Sequence, residues 1–379
     1  MTALPNDVLF ILERLESLGA QAFLVGGCVR DLMLGRSVHD WDICTSMLPE
    51  DILSAFDKTI PTGLKHGTVT VLHEGIPFEI TTFRTESIYS DHRKPDLVTF
   101  TPNLEEDLSR RDFTVNAMAM DRFGRIIDLF GGFEDLKAQL LRCVGEPLER
   151  YREDALRILR CVRFSAQLGF SIDAKTAAAM REAAPLCIHL SAERIREETE
   201  KILCSDSPAH LSMLTELGIL DRFGLREVSG VERLRTVSPD RLTRWCMLYF
   251  MYPTLDLTSF RLEKKLTELA ISAFKCRGML RESVSVKRAV YLYGREAVRM
   301  SAVLDQNVSA LDTLDSDECM EMRQLAVSGK DFPQIRGTRL GALLRRLLSF
   351  VWEHPDHNTK DQLFHQAEII LSDRNNPLE

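Results

Sequence analysis

One stretch of the sequence, LVGGCVRDLMLGRSVHDWDICT at residues 24–45, constrains the fold of this chain more than any other. Its first part predicts a strand, a turn and a helix, because an apolar run at 22–25 precedes Gly26 and Gly27, and a segment of helical character follows at 29–34. Such a turn exposes backbone N–H groups, and the positive end of a helix dipole favours an anion there. The stretch therefore predicts an anion-binding turn at the end of a strand.

The second part of the stretch, Asp40-Trp41-Asp42-Ile43, predicts a strand that carries two carboxylates. Residues two apart on a strand point to the same face, so Asp40 and Asp42 would converge while Trp41 and Ile43 pack on the other side. Converging carboxylates repel each other unless a cation lies between them, and hard oxygen ligands suit Mg²⁺, which keeps water and phosphate oxygens as further ligands. Together the two parts are typical of phosphoryl- or nucleotidyl-transfer sites.

Length and composition limit the class of protein. A chain of 379 residues is expected to hold more than one domain, and no apolar run in it is long enough to span a membrane. The first residues lack the basic segment and cleavage site of a signal peptide, and the nine cysteines are scattered without a C-x-x-C pair. These features predict a cytoplasmic protein without a zinc site or a disulfide framework.

The formal net charge of −8 is unusual for a protein that binds nucleic acid. If RNA is a substrate, positive charge must be concentrated locally to hold its phosphates. The first half of the chain has such a concentration, formed by Arg30, Arg36, Arg84, Arg93, Lys94, Arg110, Arg111, Arg142, Arg150, Arg152, Arg157, Arg160 and Arg163.

The segment after the two aspartates alternates between regular elements and a polar region. Residues 49–57 predict a short helix that begins at a proline, and the alternation at 66–84 predicts a β-hairpin with Glu74-Gly75 as its turn. Residues 85–107 begin without periodicity, which predicts a long loop of the kind that is usually functional or disordered.

The sequence RRDFTVNA at residues 110–117 groups charged and polar residues that have no reason to pack in a core. Arg111 would pair with phosphate oxygens, because its planar fork suits them. Asp112 and Asn116 could hold a ribose 2′-OH, or Asp112 could cap a following helix, and the two roles are compatible.

From about residue 134 helical spacing replaces strand patterns, and the segment EDALRILRCVRF at 153–164 is the most informative. Its apolar positions form a stripe, while Asp154, Arg157 and Arg160 recur every three residues beside it and are expected on one helix. Arg163 lies farther round the helix. For an arbitrary helix this pattern would indicate a solvated face with an Asp–Arg pair.

These motifs together resemble those of a known family. GG-x-VRD-x-x-LG followed by DxD, RRDFTVNA and EDxLRxLRxxRF are similar to motifs of the polymerase β superfamily, and within it to the class II family of CCA-adding enzymes and bacterial poly(A) polymerases. The resemblance implies an α+β fold, in which a nucleotidyltransferase head with a mixed sheet precedes all-α neck, body and tail domains. We expect these four domains at 1–136, 137–204, 205–275 and 276–379.

The resemblance also implies an activity, namely template-independent addition of C, C and A to the 3′ end of tRNA from CTP and ATP, with release of pyrophosphate and with Mg²⁺ as cofactor. Asp40 and Asp42 would be the catalytic residues and hold two Mg²⁺ ions. The triphosphate and sugar would contact Gly26, Gly27, Arg30 and Arg111. No membrane and no obligate protein partner is implied.

A third carboxylate often comes from a neighbouring strand in this superfamily. Glu79 is the candidate here, although a surface glutamate on an edge strand is an equally good interpretation.

Base recognition would fall to Asp154, Arg157, Arg160 and Arg163. Cytosine and adenine both present an exocyclic amine beside a ring nitrogen that accepts a hydrogen bond, so Asp154 could accept from the amine and Arg157 could donate to the ring nitrogen. Uracil and guanine present the reverse pattern, and such a buried mismatch costs roughly 1–3 kcal/mol. Arg160 and Arg163 would complete the pocket.

Three other segments resemble parts of the family. Residues 85–107, with Tyr89, Asp91, Arg93 and Pro95, resemble a flexible loop that helps to switch from adding C to adding A, which disfavours a CC-adding enzyme. Residues 191–203 predict a helix with a Ser N-cap that supports the base-recognition helix. In the tail, tRNA phosphates could contact the backbone of two glycines and four arginines, which are Gly337, Gly341, Arg336, Arg339, Arg345 and Arg346.

Three alternatives stay open from the sequence. An A-adding enzyme and a poly(A) polymerase would carry the same motifs in the head. A catalytically inert RNA-binding module is an alternative of a different class, although the intact Asp40 and Asp42 disfavour it.

Overall fold

The fold is that of a computed structural model that describes residues 4–87, 97–280, 283–318 and 320–372. The chain forms two compact units: the first comprises Met1–Arg222 and Arg226–Ser229, and the second comprises Phe223–Leu225 and Gly230–Glu379. Over the described ranges, no helix has the length and apolar character that crossing a bilayer requires.

The strands all lie in the first unit as far as it is described. Seven of them form one sheet in the order β3-β4-β5-β2-β1-β8-β9, in which β2 and β5 are parallel and the other neighbours antiparallel. β6 and β7 form a separate hairpin, and β10 and β11 a short parallel pair. Their bounds are Ala22–Val25 (β1), Asp42–Thr45 (β2), Thr59–Gly63 (β3), Thr68–His73 (β4), Ile76–Thr82 (β5), Arg84–Ser87 (β6), Leu97–Phe100 (β7), Met118–Met120 (β8), Ile126–Asp128 (β9), Leu140–Leu141 (β10) and Ser171–Ile172 (β11).

Three helices of the first unit begin at a side chain that caps them. Asn103, Asp173 and Ser191 each accept a hydrogen bond from a backbone N–H of the first turn that follows. The helices lie at Asn6–Ser17 (α1), Gly27–Met33 (α2), Pro49–Ala55 (α3), Leu104–Ser109 (α4), Gly132–Lys137 (α5), Pro147–Glu153 (α6), Leu156–Leu168 (α7), Ala174–Ala183 (α8), Ala192–Leu203 (α9) and Leu211–Glu216 (α10).

The second unit is helical in the part that the structure describes. One apolar core packs α12 to α15 together and another packs α16 against α17, because each helix buries one apolar stripe. The helices are Arg241–Met251 (α11), Lys264–Cys276 (α12), Ser283–Tyr293 (α13), Arg295–Leu304 (α14), Val308–Asp315 (α15), Gly337–Glu353 (α16) and Lys360–Ser372 (α17). A sheet unit followed in sequence by a helical unit confirms the predicted α+β class.

Several local predictions are confirmed. The predicted helix after residue 49 is α3, with Pro49 as its first residue. The predicted hairpin is formed by β4 and β5, and its turn residues Glu74 and Gly75 both have positive φ values, 49° and 82°. Positive φ at both central residues matches the twist of the flanking strands, which is why this turn closes a two-residue hairpin.

Two predictions about the first unit are wrong in part. β2 begins at Asp42, so Asp40 and Trp41 precede the strand that we expected them to share. The segment 85–107 is not one loop, because β6, β7 and α4 occupy much of it. The cause is local: residues 97–100 are strand formers, and Asn103 caps α4 through the Glu105 N–H at 3.0 Å. Tyr89, Asp91, Arg93 and Pro95 lie outside the described residues.

The predicted phosphate contact in the tail also needs correction. Helix α16 begins at Gly337, so Gly341 lies inside the helix rather than before it. Only the first four N–H groups of a helix lack a partner within it, and Gly341 is the fifth residue. Its N–H group is therefore used by the helix.

Candidate active site

The sequence motifs meet at one cavity of about 640 Å³ in the first unit. It lies at the start of α2 and α7 and beside the end of α4. Apart from Glu79, the residues predicted for catalysis, metal binding or nucleotide binding line it, namely Gly26, Gly27, Arg30, Asp40, Asp42, Arg111, Asp154, Arg157, Arg160 and Arg163. Glu79 does not line it, although Glu79 is paired in register with Asp42 on the neighbouring strand.

The glycine turn brings the backbone close to two charged side chains. Gly26 has φ 78° and ψ −134°, a conformation that only glycine adopts readily. A Cβ atom at this position would lie 3.2 Å from Nη1 of Arg111 and 3.7 Å from Oδ2 of Asp42. A side chain on Gly26 would therefore displace the charged groups around the turn.

The carboxylates fit a divalent cation. Burial, together with the charges of Glu79 and Asp40, raises the pKa of Asp42 against the opposing effect of Arg111. Crowded negative charge of this kind is relieved when a cation binds. Within the described ranges, no group of three His, Cys, Asp or Glu side chains could hold a metal ion. The cation would therefore have two protein ligands, Asp40 and Asp42. Such a sparse oxygen donor set suits Mg²⁺, which completes its shell with water and phosphate oxygens.

A buried carboxylate that the sequence did not indicate positions the arginines of RRDFTVNA. Asp107 is fully buried, and its Oδ2 accepts from Nη2 of Arg111 at 3.0 Å while Oδ1 accepts from Nη2 of Arg110 at 2.6 Å. Burial alone would raise the pKa of Asp107, but the charges of Arg111 and Arg110 outweigh it and lower that pKa. Asp107 therefore stays charged between them.

Arg111 places its Nη1 atom beside the glycine turn, 3.2 Å from the Cβ position of Gly26. Its Nε atom is buried and has no hydrogen-bond partner among the described residues. Burial lowers the pKa of Arg111, but the negative groups around it, Asp107 first, raise the pKa overall. A fixed cation whose Nη1 lies at the glycine turn is suited to an anionic ligand such as a phosphate.

A hydrogen-bonded chain joins α2 to α7 through the second motif. Nη1 of Arg30 donates to Oδ1 of Asn116 at 2.7 Å, and Nδ2 of Asn116 donates to Oδ1 of Asp112 at 3.1 Å. Nε of Arg160 then donates to Oδ2 of Asp112 at 2.7 Å. Asp112 also accepts from the Phe113 N–H at 2.8 Å, so it combines a backbone contact with a side-chain network.

The segment at 153–164, which we expected to recognise the base, does not form one continuous helix. α6 ends at Glu153 and α7 begins at Leu156, while Asp154 between them is extended, with φ −140° and ψ 104°. The prediction that Asp154 shares a helix with Arg157 and Arg160 is therefore wrong for Asp154. The reason is that Oδ1 of Asp154 accepts from the Leu156 N–H at 3.0 Å, a local bond that competes with helix continuation.

Arg157 and Arg163 on α7 are held by hydrogen-bond partners that lie outside this helix. Nη1 of Arg157 donates to Oε2 of Glu153 at 2.7 Å, and Nη2 donates to the Arg110 carbonyl at 2.9 Å. Nε of Arg163 donates to Oε2 of Glu198 at 2.5 Å. The guanidinium of Arg163 also lies over the Phe164 ring, 3.8 Å from its centroid.

Two further residues of the site, both on α9, could not be recognised from sequence patterns. Arg194 pairs with Asp154, and Glu198 pairs with Arg163. In sequence they look like a solvated helix face, and their partners lie 40 and 35 residues away. The predicted helix with Ser191 as N-cap is confirmed, since the Ser191 hydroxyl accepts from the Arg194 N–H.

Comparison with known proteins agrees with this geometry. Residues 22–142 match the family model of the poly(A) polymerase head domain, and residues 169–225 match one described as a probable RNA and SrmB-binding site of polymerase A. Over these two segments the chain is therefore similar to proteins of the poly(A) polymerase type.

Relatives narrow the family further. The chain is 37% identical to a CCA-adding enzyme of Pediococcus pentosaceus over 371 residues, which cover 90% of this chain and 92% of that protein. A structure of the Bacillus stearothermophilus CCA-adding enzyme in complex with CTP is 32% identical, has a TM-score of 0.83, and is matched over 96% of both chains. The chain belongs to the family of the CCA-adding enzymes.

The similarity is uneven along the chain. A Lactobacillus helveticus CCA-adding enzyme is 56% identical over 192 residues, which cover 51% of this chain and 48% of that protein. In such higher-identity matches the chain spans about half the length of the curated relative.

Proposed function

We propose that this chain adds C, C and A to the 3′ end of tRNA from CTP and ATP and releases pyrophosphate. One observation carries the proposal: a carboxylate pair, Asp40 and Asp42, and an acceptor–donor pair, Asp154 and Arg157, line the same cavity. The first pair suits nucleotidyl transfer, and the second is complementary to cytosine and adenine. The names of the relatives support the same activity.

Each group around the cavity has a task in this reaction. Asp40 and Asp42 would hold Mg²⁺, which when bound activates the RNA 3′-hydroxyl and stabilises the departing pyrophosphate. Arg111 binds the triphosphate through the face of its guanidinium at the glycine turn, where Nη1 lies, and Arg30 on α2 contributes a second cation. Asp112 and Asn116, already joined to each other, present polar groups to the ribose.

Base selection uses the break between α6 and α7. The carboxylate of Asp154 accepts from the exocyclic amine of cytosine or adenine, and Arg157 donates to the adjacent ring nitrogen. Glu153 and the Arg110 carbonyl hold Arg157, while Arg160 and Arg163 enclose the pocket. Because these groups belong to the protein, no nucleic-acid template is required.

The remaining assignments belong to the same proposal. Residues 1–136 act as the catalytic head, 137–204 as the neck, 205–275 as the body and 276–379 as a tail that contacts tRNA. The proposal includes a cytoplasmic location for the reaction. An A-adding enzyme or a poly(A) polymerase would use the same cavity and differs in its products.

Asp40 allows a test of catalysis apart from binding. With a tRNA transcript, CTP and ATP, wild-type protein should release pyrophosphate only when Mg²⁺ is present. Asp40→Ala should reduce that rate by about 1000-fold or more, because charge stabilisation by a metal is worth several kcal/mol. It should still bind CTP in an equilibrium assay, because Arg111 and Asp154 remain. Full turnover by Asp40→Ala would refute the assignment of Asp40 to catalysis. No pyrophosphate release by the wild type would favour a non-catalytic RNA-binding module.

A further inference from the structure

Arg194 holds the residue that we assign to base recognition. Its Nη1 lies 3.2 Å from Oδ1 of Asp154 and its Nη2 lies 2.8 Å from Oδ2, so the planar guanidinium grips both carboxylate oxygens. Both side chains line the cavity. A fork of this kind fixes the plane of a carboxylate, which a single donor cannot do.

This grip determines how many acceptor positions Asp154 can offer. A carboxylate has about four lone-pair positions. On Oδ1 the Leu156 N–H and Nη1 of Arg194 use two, and on Oδ2 Nη2 of Arg194 uses one. Among the contacts in the described part of the chain, one position on Oδ2 is left.

Helix α9 also holds Arg163, a second residue of the pocket, through a side chain whose charge is opposite to that of Arg194. Glu198, one turn after Arg194 on α9, is 4% exposed and accepts from Nε of Arg163 at 2.5 Å. α9 thus presents a cation to Asp154 and an anion to Arg163. The charged side chains at these two positions of α9 therefore pair with residues of the pocket and not with solvent.

We propose that Arg194 is a positioning residue for base selection, an inference that rests on the proposed function. It orients Asp154 so that one acceptor position faces the incoming base, which suits one N–H of an exocyclic amine. Without the fork, the Asp154 carboxylate can rotate away from the amine, and cytosine and adenine lose their advantage over uracil and guanine. Arg194 does not itself contact the reacting atoms.

The test is the selectivity between CTP and UTP, expressed as the ratio of their kcat/KM values. This ratio does not change if a variant is merely less folded, because both substrates then lose the same fraction of active enzyme. Arg194→Ala should lower the ratio by about tenfold or more, as expected when a buried polar match is lost. Arg194→Lys should give a ratio between those of the wild type and Arg194→Ala, because an ammonium is a point donor and not a planar fork.

A matched control comes from the same helix. Arg196 lies two residues along α9, next to Glu197, and does not line the cavity. Arg196→Ala should leave the ratio within about twofold of wild type. If an Arg194 variant is too slow to assay, the ratio of equilibrium dissociation constants for CTP and UTP carries the same information.

The outcomes separate the two proposals. Wild-type protein that fails to extend tRNA with C and A would remove the proposed function itself. Wild-type protein that selects CTP, together with Arg194→Ala and Arg194→Lys of unchanged selectivity, would leave the function intact and show that Arg194 has only a structural role.

Discussion

Asp112 and Arg160 form an ion pair that joins the second sequence motif to helix α7, with Nε and Nη2 of Arg160 both 2.7 Å from Oδ2 of Asp112. Burial alone would raise the pKa of Asp112, but Arg160 and Asn116 outweigh it and lower the pKa from 3.8 to about 2. The pair therefore links the geometry of the cavity to the stability of the first unit.

This pair predicts a defined pH dependence of stability. Because the folded pKa of Asp112 lies below its ordinary value, its contribution is full above pH 3.8 and is lost as the pH falls through about 2. Asp112→Asn should lower the free energy of unfolding at pH 7 by about 2 kcal/mol. Urea unfolding at a series of pH values should show the difference shrinking below pH 4. A difference that does not vary with pH would contradict the account.

The glycine turn predicts a loss of activity that backbone strain alone does not explain. Gly26→Ala would place a methyl group 3.2 Å from Nη1 of Arg111, so the extension rate should fall by about tenfold or more. Gly19 is the control for a positive φ value, since its φ is 87° but its Cβ position has no neighbour within 4 Å. Gly19→Ala should lose stability and retain its rate below the unfolding temperature. Equal losses of rate in both variants would assign the effect to strain.

Arg111 predicts an effect on nucleotide affinity. Arg111→Lys keeps a positive charge beside Asp107 but removes the Nε donor and the planar fork. The KM for CTP and for ATP should rise about tenfold, as for a lost charge-assisted hydrogen bond of about 1.5 kcal/mol. Arg125→Lys is the control, because the Arg125 side chain is 77% exposed and lies outside the cavity. An unchanged KM in Arg111→Lys would exclude Arg111 from triphosphate binding.

Elements set by local chemistry could be predicted from sequence. The apolar run before Gly26, the hairpin around Glu74-Gly75, and the Ser191 N-cap each depend on neighbours a few residues away. The residues of the three motifs also line one cavity, as we expected from their residue types. In these places residue type and backbone preference agree, so pattern and structure coincide.

Features that depend on distant partners could not be predicted in this way. Arg194 reaches Asp154 across 40 residues of sequence, and no spacing rule connects them. Asp107 looked like part of a polar loop, yet it is fully buried because two arginines compensate its charge. Asp154 fits a helical spacing, but its bond to the Leu156 N–H ends that regularity. Side-chain hydrogen bonds to the backbone and buried ion pairs thus determine the placement of these residues, which sequence periodicity does not reveal.

Asp154 predicts a change in specificity rather than a simple loss of rate. Asp154→Ala removes the acceptor for the exocyclic amine, so UTP and GTP should compete with CTP and ATP. The discrimination should fall by about tenfold or more, which corresponds to the cost of a mismatched buried hydrogen bond. The measurement is incorporation from an equimolar mixture of four labelled nucleotides. Unchanged selectivity would place base recognition elsewhere.

The most direct measurement is extension of a tRNA transcript that ends at the discriminator base, with CTP and ATP supplied separately and together and the products sized on a gel. The account predicts two added residues with CTP alone, three with both nucleotides, and none with ATP alone. Addition of a single A only to a transcript that already ends in CC would indicate an A-adding enzyme, and a long A ladder on unrelated RNA would indicate a poly(A) polymerase. Either result, or a stop after two C residues when both nucleotides are present, would contradict CCA addition by this chain.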